Sequence, residues 1–190
     1  MPQAIQADAV SVSPSQGVPT RSHRRDIVVV FYTSPRPIDA QGQMYDDILI
    51  PTDGSQTTAE TLAHGLPIAD DNDATVHALY VVDSRITAAA TDETSPDLEQ
   101  SLTEEGEEAV ATVADEAATH DLETVADVRK GTPSKTILEY ADEQGIDLIV
   151  IGTRGKSPRE KVTSLGSVSE RVVDNASVPV FVVRGAGSES

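Results

Sequence analysis

Three glycines and a serine in the last third of the chain have the spacing of an anion-binding loop. Gly152 and Gly155 follow a short apolar run, and after ten intervening residues Gly166 and Ser167 open a predicted helix. Glycine lets the backbone approach an anion closely, and the N–H groups at a helix start attract phosphate oxygens. The pattern predicts a phosphate site; the alternative is a surface loop whose glycines only turn the chain and cap helices.

Positive charge is concentrated in the same loop. The chain has 32 acidic and 14 basic residues, a net charge of −18. Four of the ten Lys and Arg residues that follow Met44 nevertheless lie in this loop: Arg154, Lys156, Arg159 and Lys161. They would offset the repulsion of a polyanionic ligand. Gly155-Lys156-Ser157 is not the end of a P-loop, because Val150 stands where that motif requires glycine.

Apolar runs of strand length alternate with helical periodicity from Met44 onward. The predicted strands are residues 47–51, 76–82, 125–128, 147–152 and 178–183. Strands that alternate with helices form a mostly parallel sheet that is covered on both faces. Ligands of such sheets bind beyond the carboxyl ends of the strands. The residues at these ends are Thr52-Asp53, Val82-Asp83 and the loop after Ile151.

The motifs at the strand ends resemble those of a known family. The opening strand ends Ile50-Pro51-Thr52-Asp53-Gly54-Ser55, and the fourth strand leads into Gly-x-x-Gly, a spacer and Gly-Ser. Over residues 44–184 the chain resembles the ATP-binding members of the universal stress protein family. The resemblance implies a five-stranded, parallel, doubly wound Rossmann-like sheet (adenine nucleotide alpha hydrolase-like) with strand order 3-2-1-4-5. The ten-residue spacer is one residue longer than usual, which predicts a bulge in the phosphate loop.

The resemblance also implies a ligand, ATP, which Mg²⁺ can accompany. It places Pro51, Thr52 and Asp53 at the adenine and ribose end, with Val82 lining the base pocket. The residues implied to surround the ribose and phosphates are Gly152, Arg154, Gly155, Gly166, Ser167, Val168 and Ser169. Taken alone, Asp53 is also compatible with a turn, Ser167 with an ordinary helix N-cap and Val82 with the core.

Three functions are compatible with these residues. The first is a regulatory or stress-response protein that binds ATP with little or no turnover. Glu160 is the only residue beside the loop that could act as a general base for hydrolysis, and a solvated surface acid is the simpler interpretation of it. The second is a slow ATPase that uses Asp53 and a divalent metal. The third is a stress protein that has lost nucleotide binding and acts through dimer contacts. A nicotinamide enzyme is disfavoured because the three-glycine fingerprint is missing after the first strand.

The composition of the chain disfavours some classes of binding partner and favours one cellular compartment. The acidic balance disfavours binding to nucleic acid or to an anionic membrane. The chain has no cysteine and four scattered histidines, so a thiolate or histidine metal site is not expected. No apolar run approaches the ~20 residues that span a bilayer, and we expect a cytoplasmic protein. Dispersed Asp and Glu with few Lys and aromatic residues predict a halophilic archaeon, whose salt screens the self-repulsion.

The two termini and the last strand carry separate expectations. Residues 1–43 are rich in Pro, Ser, Gln and Ala, which predicts a disordered extension. We expect the domain to cover residues 44–184, with Met44 as its natural start, and residues 185–190 to form a flexible tail. The apolar strand 178–183 lies at an edge of the inferred sheet. We expect a homodimer that pairs Val178–Val183 of two copies. The alternative is that a segment such as residues 27–32 folds back over this edge.

Overall fold

Strands and helices alternate along the chain in the computed structural model, which describes residues 29–31, 44–55, 57–90, 95–153 and 165–184. None of the helices in these ranges is both long and apolar enough to span a membrane. The elements are β1 (Val29–Phe31), β2 (Asp47–Thr52), α1 (Thr57–Asn72), β3 (Thr75–Asp83), α2 (Ser84–Ala88), α3 (Ser95–Ala118), β4 (Thr124–Gly131), α4 (Pro133–Gln144), β5 (Leu148–Gly152), α5 (Ser167–Asn175) and β6 (Val180–Val183).

The strands form one sheet in the order β1-β6-β5-β2-β3-β4. The pairs β4–β3, β3–β2, β2–β5 and β5–β6 are all parallel. Counted from β2 as the first strand, their order is 3-2-1-4-5, which confirms the predicted fold. Strand β2 is central, and its residues Ile48, Leu49 and Ile50 are fully buried, since a parallel sheet is covered on both faces.

Helices pack on each face of the sheet and form two cores. Residues of α1 and α3 such as Leu66 and Val113 pack with Ile50 of β2 on one face. Residues of α4 and α5 such as Ile137 and Val172 pack with Leu49 on the other face. Neighbouring residues of β2 serve different cores because side chains of a strand alternate between its two sides. The uninterrupted apolar run that predicted β2 follows from this double burial.

Strand β1 corrects two of the expectations. It pairs antiparallel with β6, in a register that runs from Val29↔Val182 to Phe31↔Val180. Strand β6 therefore does not lie at the sheet edge, and the expectation of an exposed edge at Val178–Val183 was wrong. The alternative, a segment from residues 27–32 that folds back, describes this chain. Disorder was also the wrong prediction for residues 29–31; the rest of 1–43 and the tail 185–190 lie outside the described residues.

Strands β2 and β5 are joined at their amino ends by a buried polar cluster. Asp147, 2% exposed, accepts the N–H groups of Asp46 at 2.7 Å and Asp47 at 3.2 Å through Oδ2. Buried His77 lies between Asp47, 2.9 Å from Nε2, and the Tyr140 hydroxyl, 3.0 Å from Nδ1. Since this end of the sheet is closed, any opening between the two strands lies at their carboxyl ends.

Candidate functional site

A proline in the central strand explains where the sheet opens. Backbone groups of alternate strand residues point to the same neighbour. The carbonyl of Asp47 accepts the N–H of Asp147 at 2.8 Å, so residues 47, 49 and 51 of β2 face β5. Pro51 has no N–H to donate, and the pairing of β2 with β5 ends at Leu49↔Ile149, whereas pairing with β3 continues to Thr52↔Tyr80. The strands part there, and a cleft of about 430 Å³ opens.

The cleft has an apolar part and a polar part. Its apolar lining residues are Pro51, Leu79, Val81, Ile86, Leu102, Pro133, Ile137 and Ile151. Its polar lining residues include Thr52, Asp53, Ser55, Thr58, Asp83, Glu105, Thr153, Ser167 and Ser169. A mostly apolar pocket with a few convergent polar groups is the usual form of a small-molecule site.

The loop that joins β2 to α1 is held by its own side chains. Thr52 Oγ1 accepts the N–H of Gly54 at 3.1 Å and lies 2.9 Å from Thr58 Oγ1. Asp53 Oδ1 accepts the N–H of Ser55 at 3.0 Å. Gly54 has a φ of 68°, which favours glycine. Asp53 is thus the turn residue that the sequence also allowed, and this turn presents its carboxylate to the cleft.

On the opposite wall, short hydrogen bonds join the end of β5 to the start of α5. The N–H of Gly166 donates to the carbonyl of Thr153 at 2.8 Å. The hydroxyl of buried Ser169 donates to the carbonyl of Gly152 at 2.7 Å. A serine has one hydroxyl hydrogen, and in this arrangement that of Ser169 holds α5 against β5; its role as a donor to phosphate stays a prediction.

The first turn of α5 has the features of an anion site. Gly166 is its N-cap residue and makes no side-chain cap. The first N–H groups of a helix have no acceptor within the helix, and the helix dipole is positive there. Ser167 and Val168 supply these groups at the cleft. The structure brings them together with Gly152 and Gly166, as the sequence predicted. Arg154 and Gly155 lie outside the described residues, together with the rest of the basic loop.

Two buried hydroxyl groups of the cleft walls have no hydrogen-bond partner within the described ranges. Ser55 Oγ lies at the β2–α1 loop and Thr153 Oγ1 lies after β5, and neither has a hydrogen-bond partner among the residues that the structure describes. Leaving a buried polar group unpaired costs about 1–3 kcal/mol. Both atoms belong to lining residues on opposite walls of the cleft. They are therefore suited to hydrogen bonds with a bound molecule. Sequence reasoning missed Thr153, although it lies between two predicted site residues.

The side chains that line the β3 side of the cleft are negative or neutral, and Arg85 pairs with one of them, Asp83. Burial, and then the charge of Asp53, raise the pKa of Tyr80, so its phenol stays neutral. The side-chain hydrogen bonds of Arg85 lower the pKa of Asp83, whose Oδ1 accepts Arg85 Nε at 2.9 Å. With Asp53, Asp83 and Glu105 on this side, an anionic ligand group is better accommodated at the α5 side.

Val82 is not where the sequence placed it. Its side chain is 3% exposed and belongs to the core beneath α1 and α3. The preceding residue, Val81, lines the cleft instead. Neighbouring strand residues point to opposite faces, so an error of one residue exchanges a lining side chain for a core side chain. Val82 is thus the core residue that the sequence also allowed.

Gly106 of α3 makes room for Tyr80 in the cleft wall. A Cβ atom at this position would lie 2.6 Å from Cδ1 of the Tyr80 ring, too close for any side chain. Gly→Ala in a helix normally stabilises by about 0.5–1 kcal/mol, but overpacking costs about 1–3 kcal/mol. We expect Gly106→Ala to lower the free energy of unfolding, measured by denaturant titration in molar salt. Ala111→Gly, at an exposed site of the same helix, measures how much the difference in helix propensity between Ala and Gly changes the free energy of unfolding. A higher free energy of unfolding for Gly106→Ala than for the parent would contradict the packing argument.

Asp53, Asp83 and Glu105 are the carboxylates among the described residues that line the cleft. Within the described ranges, no three His, Asp or Glu side chains form a metal-binding group. Mg²⁺ is commonly held by one or two carboxylates together with the phosphates of the ligand. The carboxylates that line the cleft could hold a cation of this kind together with a ligand.

Comparisons with known proteins find relatives of this chain in sequence and in fold. The universal stress protein family model matches residues 44–184. Universal stress protein MJ0531 of Methanocaldococcus jannaschii is 41% identical over 142 residues, which cover 74% of this chain and 83% of the relative. The solved structure of protein MJ0577 from the same organism is 30% identical, with a TM-score of 0.68, and the match covers 76% of this chain and 99% of that chain.

Two more distant solved structures share the fold and contain adenine nucleotides. A universal stress protein in complex with cAMP is 22% identical, with a TM-score of 0.53 and coverage of 73% of this chain and 96% of that chain. The universal stress protein from Archaeoglobus fulgidus in complex with dAMP is 20% identical, with a TM-score of 0.56 and coverage of 73% and 98%.

Proposed function

Because this chain belongs to the universal stress protein family, we propose that it is a regulatory or stress-response protein that binds ATP with little or no turnover. One observation carries the proposal. At the cleft beyond the carboxyl ends of β2 and β5, the buried hydroxyls of Ser55 and Thr153 on opposite walls have no hydrogen-bond partner in the part of the chain that the structure describes. Distant members that share this fold hold adenine nucleotides, which supports the choice of ligand class.

The chemistry of the walls favours one orientation of the nucleotide. The adenine lies against the apolar part, near Pro51 and Val81, and the ribose near the Asp53 carboxylate. The phosphates lie at Gly152, Gly166 and the first N–H groups of α5, where the helix dipole is positive. We also assign Arg154 and Gly155 to the phosphate site, because they follow Gly152 in the sequence motif.

The residues that line the cleft fit nucleotide binding with little turnover better than hydrolysis. Hydrolysis needs a group that activates water close to the terminal phosphate. In the described part of the cleft, Asp53, Asp83 and Glu105 are the carboxylates, and all lie on the adenine and ribose side of the proposed pose. A slow ATPase that uses Asp53 and Mg²⁺ is the second candidate, and the carboxylate of Asp53 is the observation that favours it.

Nucleotide carried through purification tests the proposal. We expect protein purified in molar salt to release adenine nucleotide on denaturation, and nucleotide-free protein to bind ATP in a calorimetric titration. Production of ADP over hours by the purified protein, at a rate that falls in Asp53→Asn, would favour the slow ATPase. Absence of both copurified nucleotide and calorimetric binding would contradict the proposal and favour a stress protein that acts through protein contacts.

The proposal extends to the setting of the protein. We place it in the cytoplasm of a halophilic archaeon, because its net charge of −18 requires strong screening and because cytoplasm is where ATP is available. Homodimers formed through Val178–Val183 also remain a proposal. They require that the edge of β6 become free.

A further inference from the structure

Strand β6 already has a partner on each side and on each face. Strand β5 occupies one edge and β1 the other. Phe181 and Val183 pack into the core of α1 and α3, while Val180 and Val182 pack into the core of α4 and α5. Removing β1 would therefore uncover the outer backbone groups of β6 while the helices still cover both faces. Residues 44–184, which match the family, include β6 but not β1.

Strand β1 has the composition of the strand that it pairs with. Its sequence is Val-Val-Phe, and that of β6 is Val-Phe-Val-Val. The pairing is antiparallel, whereas the other strands of the sheet pair in parallel. Antiparallel is also the orientation in which two copies of one strand meet across a two-fold axis. Strand β1 thus has the residue types and the direction that β6 of a second copy would have.

The two outer edges of the parallel sheet differ in charge. Strand β4, at one edge, carries Asp127, Arg129 and Lys130, and charged side chains protect an edge strand from pairing. Strand β6 has only Val and Phe between Val180 and Val183. An uncharged apolar edge invites pairing with another chain unless it is covered. Strand β1 supplies this cover.

We propose that β1 is a built-in cap on the β6 edge and that its displacement lets β6 pair antiparallel with β6 of a second copy. The cap and the second copy compete for the same backbone groups, so they cannot bind together. Residues 32–43 tether the cap, and a short tether gives an effective concentration on the order of millimolar. The capped chain is therefore monomeric at ordinary concentrations, and release of β1 converts it into a dimer.

Prolines in β1 test the cap without shortening the chain. Alternate residues of an antiparallel strand donate to the neighbour, so one of two consecutive prolines must remove a donor to β6. We expect the full chain with Val29→Pro and Val30→Pro to form dimers, with a midpoint concentration at least about tenfold below that of the parent. Val10→Pro with Val12→Pro, in the same extension but outside β1, should leave the chain monomeric. Sedimentation velocity in molar salt over a concentration series measures each midpoint.

Hydrogen exchange identifies the surface on which the copies meet. The backbone amides of Val180 and Val182 do not face β5, since the carbonyls of Pro179 and Val183 accept from that strand. These two amides should be protected in the dimer of the proline variant and should exchange faster as dilution produces monomers. A chain that starts at Met44 should give the same dimer, with an unfolding transition close to that of the parent. The proposal is overturned if the folded proline variant stays monomeric or if the parent dimerises equally well. It is also overturned if the exchange rates of the Val180 and Val182 amides do not change on dilution.

Discussion

Gly166→Val is expected to weaken ATP binding by at least about 100-fold, roughly 2.8 kcal/mol, while the protein remains folded. Gly166 caps α5 with a φ of −64° and a ψ of 154°, a conformation open to any residue. Its N–H bond to Thr153 and its carbonyl bond to Glu170 do not involve a side chain. The Val side chain would instead occupy the space beside Gly152 into which phosphate must come.

A milder variant at the next position serves as the matched control. Ser167→Ala removes one hydroxyl and keeps the backbone N–H groups, so a loss of about 0.5–1.5 kcal/mol is expected. Calorimetric titration with ATP in molar salt measures both variants, and thermal unfolding checks their fold. Equal affinities for the parent and Gly166→Val would show that the start of α5 is not the phosphate site, even if ATP binds elsewhere on the protein.

Transfer from molar to millimolar salt is expected to unfold or expand the protein. The Debye length grows from about 3 Å at 1 M salt to about 30 Å at 0.01 M, so charges on distant parts of the surface begin to repel. Helix α3 should be the helix most destabilised by this repulsion, because its sequence contains eight acidic residues and no Lys or Arg. Like charges four residues apart, such as Glu104 and Glu108, destabilise a helix by about 0.2–0.5 kcal/mol per pair.

Circular dichroism across a salt series measures this transition. The triple variant Glu104→Gln, Glu107→Gln and Glu108→Gln should keep its helical signal to lower salt than the parent, since it removes three charges from one exposed helix. Sucrose at the same water activity should restore less of the helical signal than salt, because its exclusion from the surface favours the folded state but screens no charge. A parent spectrum that is unchanged between molar and millimolar salt would contradict both the screening argument and the inferred halophilic setting.

The parallel strands at the centre of the sheet were predictable, because the apolar runs in the sequence are the segments that the fold buries. Strand β2 reads as an apolar run because Ile48, Leu49 and Ile50 are buried on both faces. Helix α2 was missed, because its five residues are too few to show a period and its start depends on the bond from Asp83 to the N–H of Arg85. Strand β1 was only an alternative, because its place depends on which edge is free to receive it.

The site was predictable where the backbone defines it and less so where side chains do. Gly152, Gly166 and Ser167 lie at the cleft as expected, since a strand end and a helix start determine their positions. Val82 was misplaced because a shift of one residue changes the face of a strand. The hydroxyl of Ser169 bonds to a carbonyl that is distant in sequence, and no local pattern signals this bond.

The separation of β2 and β5 along the chain has a consequence for folding. The bonds from Asp46 and Asp47 to Asp147 join residues 100 or 101 positions apart, and contacts so distant form slowly. The cleft needs Asp53 and Thr153 on facing walls, so a chain in which only β2, β3 and β4 have paired has half a site. A ligand that spans both walls therefore adds its binding energy to the completed sheet alone. At a free ligand concentration 100 times Kd that gain is about 2.7 kcal/mol, so the ligand would also act as a reporter of complete folding.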